Sequence, residues 1–369
     1  MSPQSILLFL VTLSVLVVLH EYGHFIVARL NGVRVTDFAL GMGPTLAKWT
    51  SKRSGTVYRL NAFPIGGYCQ MKGEDGQSTE AEQQRAFRNG TEYDADNFQA
   101  KTPLQRLAIV LAGPIMNFVL ALALLFGGAM AFGVAGSTAT TMIAEVVPGM
   151  PAAKAGLQAG DKIVAIDGRP MADGNALVDF IHASAGKRLH VEYDRNGVRR
   201  SIDITPIASK NPRTGKMEGR LGFNPLPPPE RVGVLQALEY SGRQFAFVTT
   251  STLGALGALV THPADVAGQV RGPIGMAQAS AQAQRFGAYI FVSFAALISI
   301  SLGIFNLLPI PALDGGRGVF ILVEMLRGRP VPAEKEALVH VGGFAVLIVL
   351  MIAVSYHDVA AMFSGKPAF

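Results

Sequence analysis

Charge and cysteine are what this chain has least of. Charged residues make up 16% of its 369 positions, against about 25% in a soluble domain. Half of the residues are hydrophobic and the mean hydropathy is +0.34. That deficit excludes an ordinary soluble globule and points to an integral membrane protein in contact with a lipid bilayer. The net charge of +6 is not gathered into a patch, which argues against a nucleic-acid partner. In a membrane protein, lysine and arginine mainly report orientation. The single cysteine, Cys69, excludes an intrachain disulfide. It reads as a half-buried strand residue rather than a zinc ligand. No internal repeat is visible. The first apolar run lacks a basic n-region and a small-residue cleavage site, so it reads as a retained span rather than a signal peptide.

That run, residues 7–30, is long enough to cross a bilayer, for which about 20 residues suffice. Its second half carries His20, Glu21 and His24. Ionisable side chains at membrane depth are costly and are functional suspects by default. On a helix, positions 20 and 24 face the same way, one turn apart. This H-E-x-x-H spacing lets two imidazoles hold one Zn²⁺, with Glu21 beside them as general base.

The rest of the chain divides by composition. Residues 1–135 hold two spans, the second at about 104–134, and between them a glycine-rich β segment. Within it, 56–61 alternates as a strand and Phe63-Pro64-Ile65-Gly66-Gly67-Tyr68 reads as a turn into a second strand. Residues 73–102 read as a connecting loop. Gly113-Pro114 interrupts the second span and Asn117 follows. Asn117 serves either as polar glue between helices, the commoner case, or as lining for an active site. Residues 136–227 have the composition of a soluble domain, with a short alanine-rich helix, a Gly-x-x-x-Gly-Asp turn and an Asn196-Gly197 hairpin. They look like a PDZ domain, a module that binds peptide or protein segments by adding them as a strand. Residues 225–229 read as a stiff proline exit. Residues 228–287 read as an interfacial amphipathic linker, because Glu239, Arg243 and Gln244 interrupt their apolar face. Residues 271–275 read as a turn. Residues 288–369 hold two further spans, at about 288–308 and 338–356, separated by Pro309, Pro311 and Leu313-Asp314-Gly315. The expected fold is a polytopic α-helical membrane protein of about four spans, with a membrane-associated β-hairpin and one inserted α+β PDZ domain.

Two histidines do not complete a catalytic zinc site, which wants three protein ligands and an open position. The place six residues beyond the motif, where some enzymes carry a third histidine, is Leu30, and no glutamate occurs between Glu21 and Glu74. Candidates near spans are Asp314, Glu324, His340 and His357. Asp314 is the best, on a broken helix end beside glycines, although a carboxylate there can instead cap the following helix. His340 is second, against the alternative of a helix-end histidine at the interface. Four spans place the His-Glu-His end of the first helix and Asp314 on one side, whereas an odd number would separate them. Nine basic residues from Arg34 to Lys101 and four from Arg317 to Lys335 lie on that side. Positive-inside then puts the metal toward the cytoplasm and the PDZ-like domain outside it.

In order along the chain, His20-Glu21-Tyr22-Gly23-His24, the Gly66-Gly67-Tyr68 hairpin, Gly113-Pro114 with Asn117, the PDZ-like insert, and Asn306, Pro309, Pro311 and Leu313-Asp314-Gly315 resemble the site-2 protease family of intramembrane zinc metalloproteases. The branch most similar is that of the bacterial regulator-of-sigma-E proteases, many of which carry two PDZ domains where this chain has one. The resemblance implies that His20, His24 and Asp314 bind zinc and that Glu21 is catalytic. It implies that the hairpin with Gly66, Gly67 and Tyr68 dips into the membrane and offers its edge to substrate, and that Asn306 helps hold the substrate segment. The function it implies is regulated intramembrane proteolysis at a bacterial inner membrane. Its substrate class is a single-span membrane protein already cut on the outer side, such as an anti-sigma factor or a remnant signal peptide. A membrane-anchored scaffold with a structural metal is the alternative from another class.

Overall fold

The computed structural model describes residues 3–74, 94–135, 140–210, 217–225, 229–262, 272–285, 287–328, 331 and 333–363. The connecting loop, the proline exit and the turn at 271–275 fall wholly or partly outside these residues. Contacts divide the chain into two compact units, one formed by Met1–Gly128 with Leu238–Phe369 and the other by Ala129–Ala237.

The chain enters the first unit as α1, Pro3–Leu30. It then forms two long strands, β1 Val35–Thr50 and β2 Val57–Met71. These do not make the simple hairpin read from the sequence. Each strand is bent in the middle, so two stretches of sequence supply four segments of one sheet. Phe38 stands opposite both Cys69 and Tyr58, Ala39 opposite both Tyr68 and Arg59, and Leu40 opposite both Gly67 and Leu60. The returning half of β1 pairs with β2 on the far side, Lys48 opposite Arg59 and Trp49 opposite Tyr58. The bends are where Gly41, Gly43 and Gly66 take positive φ, which glycine adopts without steric cost. Among the described residues the sheet ends in two edges with no further strand, and one of them is Gly67–Met71, where the Met71 amide donates to the Glu74 carboxylate at 3.0 Å. Helix α2, Pro103–Phe132, follows. Its close approach to α1 is set by Gly23, where a Cβ would stand 2.4 Å from the Ala112 carbonyl oxygen. Small residues at such crossings are the usual device of helix packing in lipid.

The second unit is tied at its two ends by β3, Val134–Ala135, pairing with β12, Pro229–Glu230. Within it run β4 Ile143–Val146, the short α3 Pro151–Lys154, β5 Lys162–Ile166, β6 Arg169–Pro170 and α4 Gly174–Ala183. β7 Leu189–Arg195, β8 Val198–Ile204, β9 Ile207–Lys210, β10 Met217–Arg220 and β11 Phe223–Pro225 complete it. The order β6-β5-β7-β8 forms the main sheet. Asp173 caps α4 through the Ala176 amide at 2.8 Å. The β7–β8 turn is the Asn196-Gly197 pair, both at positive φ, as a two-residue hairpin requires. Ile163, Ile166, Leu177, Leu189 and Val191 form its core. Leu177 is fully buried. Leu177→Ala is expected to destabilise this unit by about 2–5 kcal/mol, read as faster amide exchange confined to residues of this core.

The chain returns to the first unit through α5 Val234–Thr261, α6 Pro273–Arg285 and α7 Ala288–Leu307, followed by α8 Asp314–Arg327 and α9 Ala333–Phe363. By length and composition alone, five of the described helices can cross a membrane, namely α1, α2, α5, α7 and most of α9. The fifth candidate, α5, falls in the stretch read as an interfacial linker. Its charges explain the difference. Glu239 and Arg243 pair with each other across one turn at 3.3 Å, and residues 244–261 carry no charged side chain. Counting spans therefore does not decide which ligands share a side. Contacts do, because α1 and α2 run past each other at His20, His24, Ile109 and Asn117. Arg106, buried at the start of α2, bonds Gln99 and the Glu324 carboxylate of α8, tying α8 to the same end.

Candidate metal centre

His20 and His24 lie one turn apart on α1 and are 6% and 7% exposed. Their outer nitrogens come together, Nε2 to Nε2, at 3.3 Å. Asp314 closes the triangle. Its Oδ2 lies 3.1 Å from His20 Nε2 and 3.5 Å from His24 Nε2. These are the three described residues whose ligand-type atoms cluster as a metal would need.

Each inner ring nitrogen has a partner on α2. His24 Nδ1 is 2.8 Å from the Ile109 carbonyl oxygen. A carbonyl only accepts, so Nδ1 carries a proton, and in the neutral ring that a metal requires the lone pair is left on Nε2, toward Asp314. The Asn117 carboxamide reaches His20 Nδ1 at 3.1 Å, and its own backbone carbonyl accepts from Ser299 Oγ at 2.8 Å. Asn117 is fully buried. The atom facing His20 Nδ1 is the amide nitrogen, Nδ2, and Oδ1 is buried without a partner; the opposite orientation of the carboxamide would place Oδ1 against Nδ1–H and set the same tautomer in His20. Such outer partners orient metal-binding histidines.

With both rings neutral and protonated on Nδ1, the three facing atoms are all acceptors, which repel unless a cation sits among them. Asp314 Oδ2 is buried and makes no hydrogen bond. Ligand atoms about 2.0–2.1 Å from a tetrahedral ion stand about 3.3–3.4 Å apart, close to the three separations found here. The donor set and its spacing therefore fit a zinc ion.

Asp314 is aimed by the loop before it. The chain leaves α7 at Leu308 in extended conformation, turns through Ile310–Leu313 and starts α8 at Asp314. The N-cap position belongs to Leu313, with no side-chain cap, so the carboxylate is not spent on capping. Gly315 lets the loop fold flat on the new helix, since a Cβ there would stand 2.2 Å from the Leu308 carbonyl oxygen. Of the other ligand candidates, Glu324 pairs with Arg106 and His340 bonds the Ala312 amide. The side chain of His357 lies outside the described residues.

Beside the triangle is a cavity of about 340 Å³ whose wall includes Glu21, His24, Tyr68, Asp314 and Arg317. The Gly67–Met71 edge borders it. A Cβ on Gly67 would lie 3.7 Å from Glu21 Cγ, so this glycine brings the strand backbone up to the motif. Cys69 also lines the cavity, but burial pushes its thiol pKa up, which keeps it protonated and a poor ligand. Glu74 accepts from the Arg317 guanidinium across the rim. Gly66 sits at the bend with φ +80°. Asn306, half-buried on the last turn of α7, is not among the residues lining this cavity. In the second unit, a separate groove of about 610 Å³ lies between α4 and β10–β11, with Ile181, His182, Arg220 and Phe223 on its walls.

Two participants escape a reading of the motif alone. Gly113 has no side chain where one would enter the triangle, since a Cβ would fall 2.2 Å from His24 Nε2. Asn117 stands one turn further along α2. The signal for both was a matched spacing: Gly113 and Asn117 are four apart, as are His20 and His24, so an antiparallel crossing sets them opposite in pairs.

The model of peptidase family M50 matches residues 8–350. A putative zinc metalloprotease of Rhizobium meliloti is 34% identical, with 96% of each chain covered. Zinc metalloprotease RasP of Geobacillus kaustophilus is 30% identical, covering 98% of this chain and 99% of that one. The regulator of sigma-W protease RasP of Bacillus subtilis is 30% identical over 98% of this chain and all of that one. Among solved structures, the PDZ domain of an SdrC-like protein from Listeria monocytogenes aligns with 25% of this chain and 93% of its own length, at 25% identity and a TM-score of 0.21. A match that runs through both halves of the His-His-Asp triangle makes the assignment plain: this chain belongs to peptidase family M50, the site-2 type of zinc metalloprotease.

Proposed function

We propose that His20, His24 and Asp314 hold the zinc ion and that Glu21 is the general base of an intramembrane protease acting on single-span membrane proteins. The observation that carries this reading is the meeting of two Nε2 atoms and one carboxylate oxygen within 3.5 Å, on the wall of a cavity that Glu21 shares. Zinc, when bound, polarises the scissile carbonyl and lowers the pKa of water. Glu21 takes the proton of the attacking water and hands it to the leaving amine. The Gly67–Met71 edge accepts an unwound substrate segment as an added strand, which exposes carbonyls that a helix hides. Tyr68 and Gly66 shape that edge, and Asn306 holds the segment from α7.

Residues 136–227 act as a PDZ-like module whose groove takes a peptide or protein segment. The thirteen basic residues flanking the ligand-bearing ends support a site facing the cytoplasm of a bacterial inner membrane, with the module outside. The preceding cut, on the outer side, leaves a short substrate such as a trimmed anti-sigma factor or a remnant signal peptide.

The test is metal analysis of the purified full chain beside cleavage of a single-span substrate in vesicles. About one zinc per chain is expected, lost together with cleavage in Asp314→Ala. Zinc retained at wild-type level in Asp314→Ala overturns the ligand set.

A further inference from the structure

The loop that presents Asp314 contains a conformation in need of an outside hold. Among the described residues, three other than glycine take positive φ: Asp167, Asn196 and Ala312. Asp and Asn are suited to this region because a short polar side chain bonds the local backbone. Ala312, at φ +74°, has no such side chain. Its amide donates instead to His340 Nδ1 on α9, at 2.8 Å. His340 Nε2 is buried without a hydrogen-bond partner, and the nearest carboxylate oxygen, on Glu336, is 3.9 Å away. The ring therefore spends its hydrogen bonding on the loop backbone.

The helix is brought to that loop on purpose-built terms. Gly343, one turn on, lies against Pro311 so closely that a Cβ would stand 2.4 Å from Pro311 Cβ. Positions 340 and 343 share a face, so α9 meets the loop at Pro311 and Ala312 together. The Phe320 ring of α8, centroid to centroid 5.5 Å, backs the imidazole. Two residues beyond Ala312 is Asp314.

Building on the zinc ligands proposed above, we propose that His340 is a positioning residue for the metal site: by accepting the Ala312 amide it holds the left-handed turn that aims Asp314 at His20 and His24. Asn and Leu are alike in size and shape, but only Asn offers an acceptor near the place of Nδ1. In the full-length protein in detergent, with zinc affinity read by chelator competition, His340→Leu is expected to weaken zinc by about 10–100-fold, the usual range for an outer partner of a ligand. His340→Asn is expected to stay close to wild type. Adding Ala312→Gly to His340→Leu is expected to restore most of the affinity, because glycine adopts positive φ unaided. Equal affinities for the Asn and Leu variants, or no recovery in the double variant, overturn the proposal. If His340→Leu alone does not accumulate, the double variant carries the test: zinc affinity near wild type supports the proposal, and failure to accumulate or weakened zinc overturns it. Asp314→Ala, run beside them, separates the two readings. If it binds zinc like wild type, the ligand assignment fails, whereas loss of zinc there with equal Asn and Leu variants refutes the role of His340 alone.

Discussion

Replacing Glu21 by glutamine is expected to cut peptide-bond hydrolysis by about 10²–10⁴-fold, the contribution of a positioned general base, while zinc stays bound. Glutamine has the size of glutamate but takes no proton. The position next to His20 on α1 puts side chain 21 on the cavity wall beside the ligand triangle rather than in it. The pair of measurements is a metal count and a rate on the same preparation. Unchanged cleavage would remove Glu21 from its role as base. Zinc lost along with activity would move it into the ligand set, and neither result leaves the present assignment standing.

A single methyl group on α2 should do as much damage by another route. In Gly113→Ala the added carbon falls 2.2 Å from His24 Nε2 and 2.8 Å from His20 Cε1, well inside van der Waals contact, which for carbon atoms begins near 3.5 Å. The helix has little room to yield there, because Gly23 already holds α1 against the Ala112 carbonyl and Pro114 fixes its own φ. One imidazole must swing away, and its hydrogen bond to Ile109 or Asn117 goes with it. Zinc affinity is expected to fall by more than about 100-fold, beyond the range for losing an outer partner alone, and cleavage should fall with it. The same helix supplies the control. A Cβ on Gly127 meets nothing within 4 Å, so Gly127→Ala should leave zinc and activity intact. If Gly113→Ala holds zinc as wild type does, the triangle is looser than its contacts imply.

How much of the site was legible follows from distance along the chain. His20 and His24 lie within one turn of one helix, and helix geometry is local, so their shared direction is readable from spacing. Asp314 comes from a different helix and is reached from the sequence by elimination among four acids and histidines and by the family resemblance, not by spacing. From sequence His340 reads as a second ligand candidate or as a helix-end histidine at the interface; its bond to the Ala312 amide is not readable there, because nothing local distinguishes a ligand from an acceptor of a backbone amide. The β segment reads as a hairpin because strands and turns have local signatures. Its fold into four segments rests on which residues pair across the bends, as with Ala39 between Tyr68 and Arg59, and pairing register has no local code.

From its residues alone this protein is a membrane-embedded metalloprotease candidate with a soluble insert. Low charge, long apolar runs and a two-histidine turn at bilayer depth are properties of short windows of chain. Tertiary structure alone decides the rest: that Gly113 and Asn117 stand opposite His24 and His20, that Asp314 is turned inward rather than used as a cap, and that among the described residues the Gly67–Met71 edge has no further strand beside Glu21. Each of these depends on helices and strands separated in sequence meeting in one register. That meeting is set by close packing over the whole unit and not by any segment's own preferences.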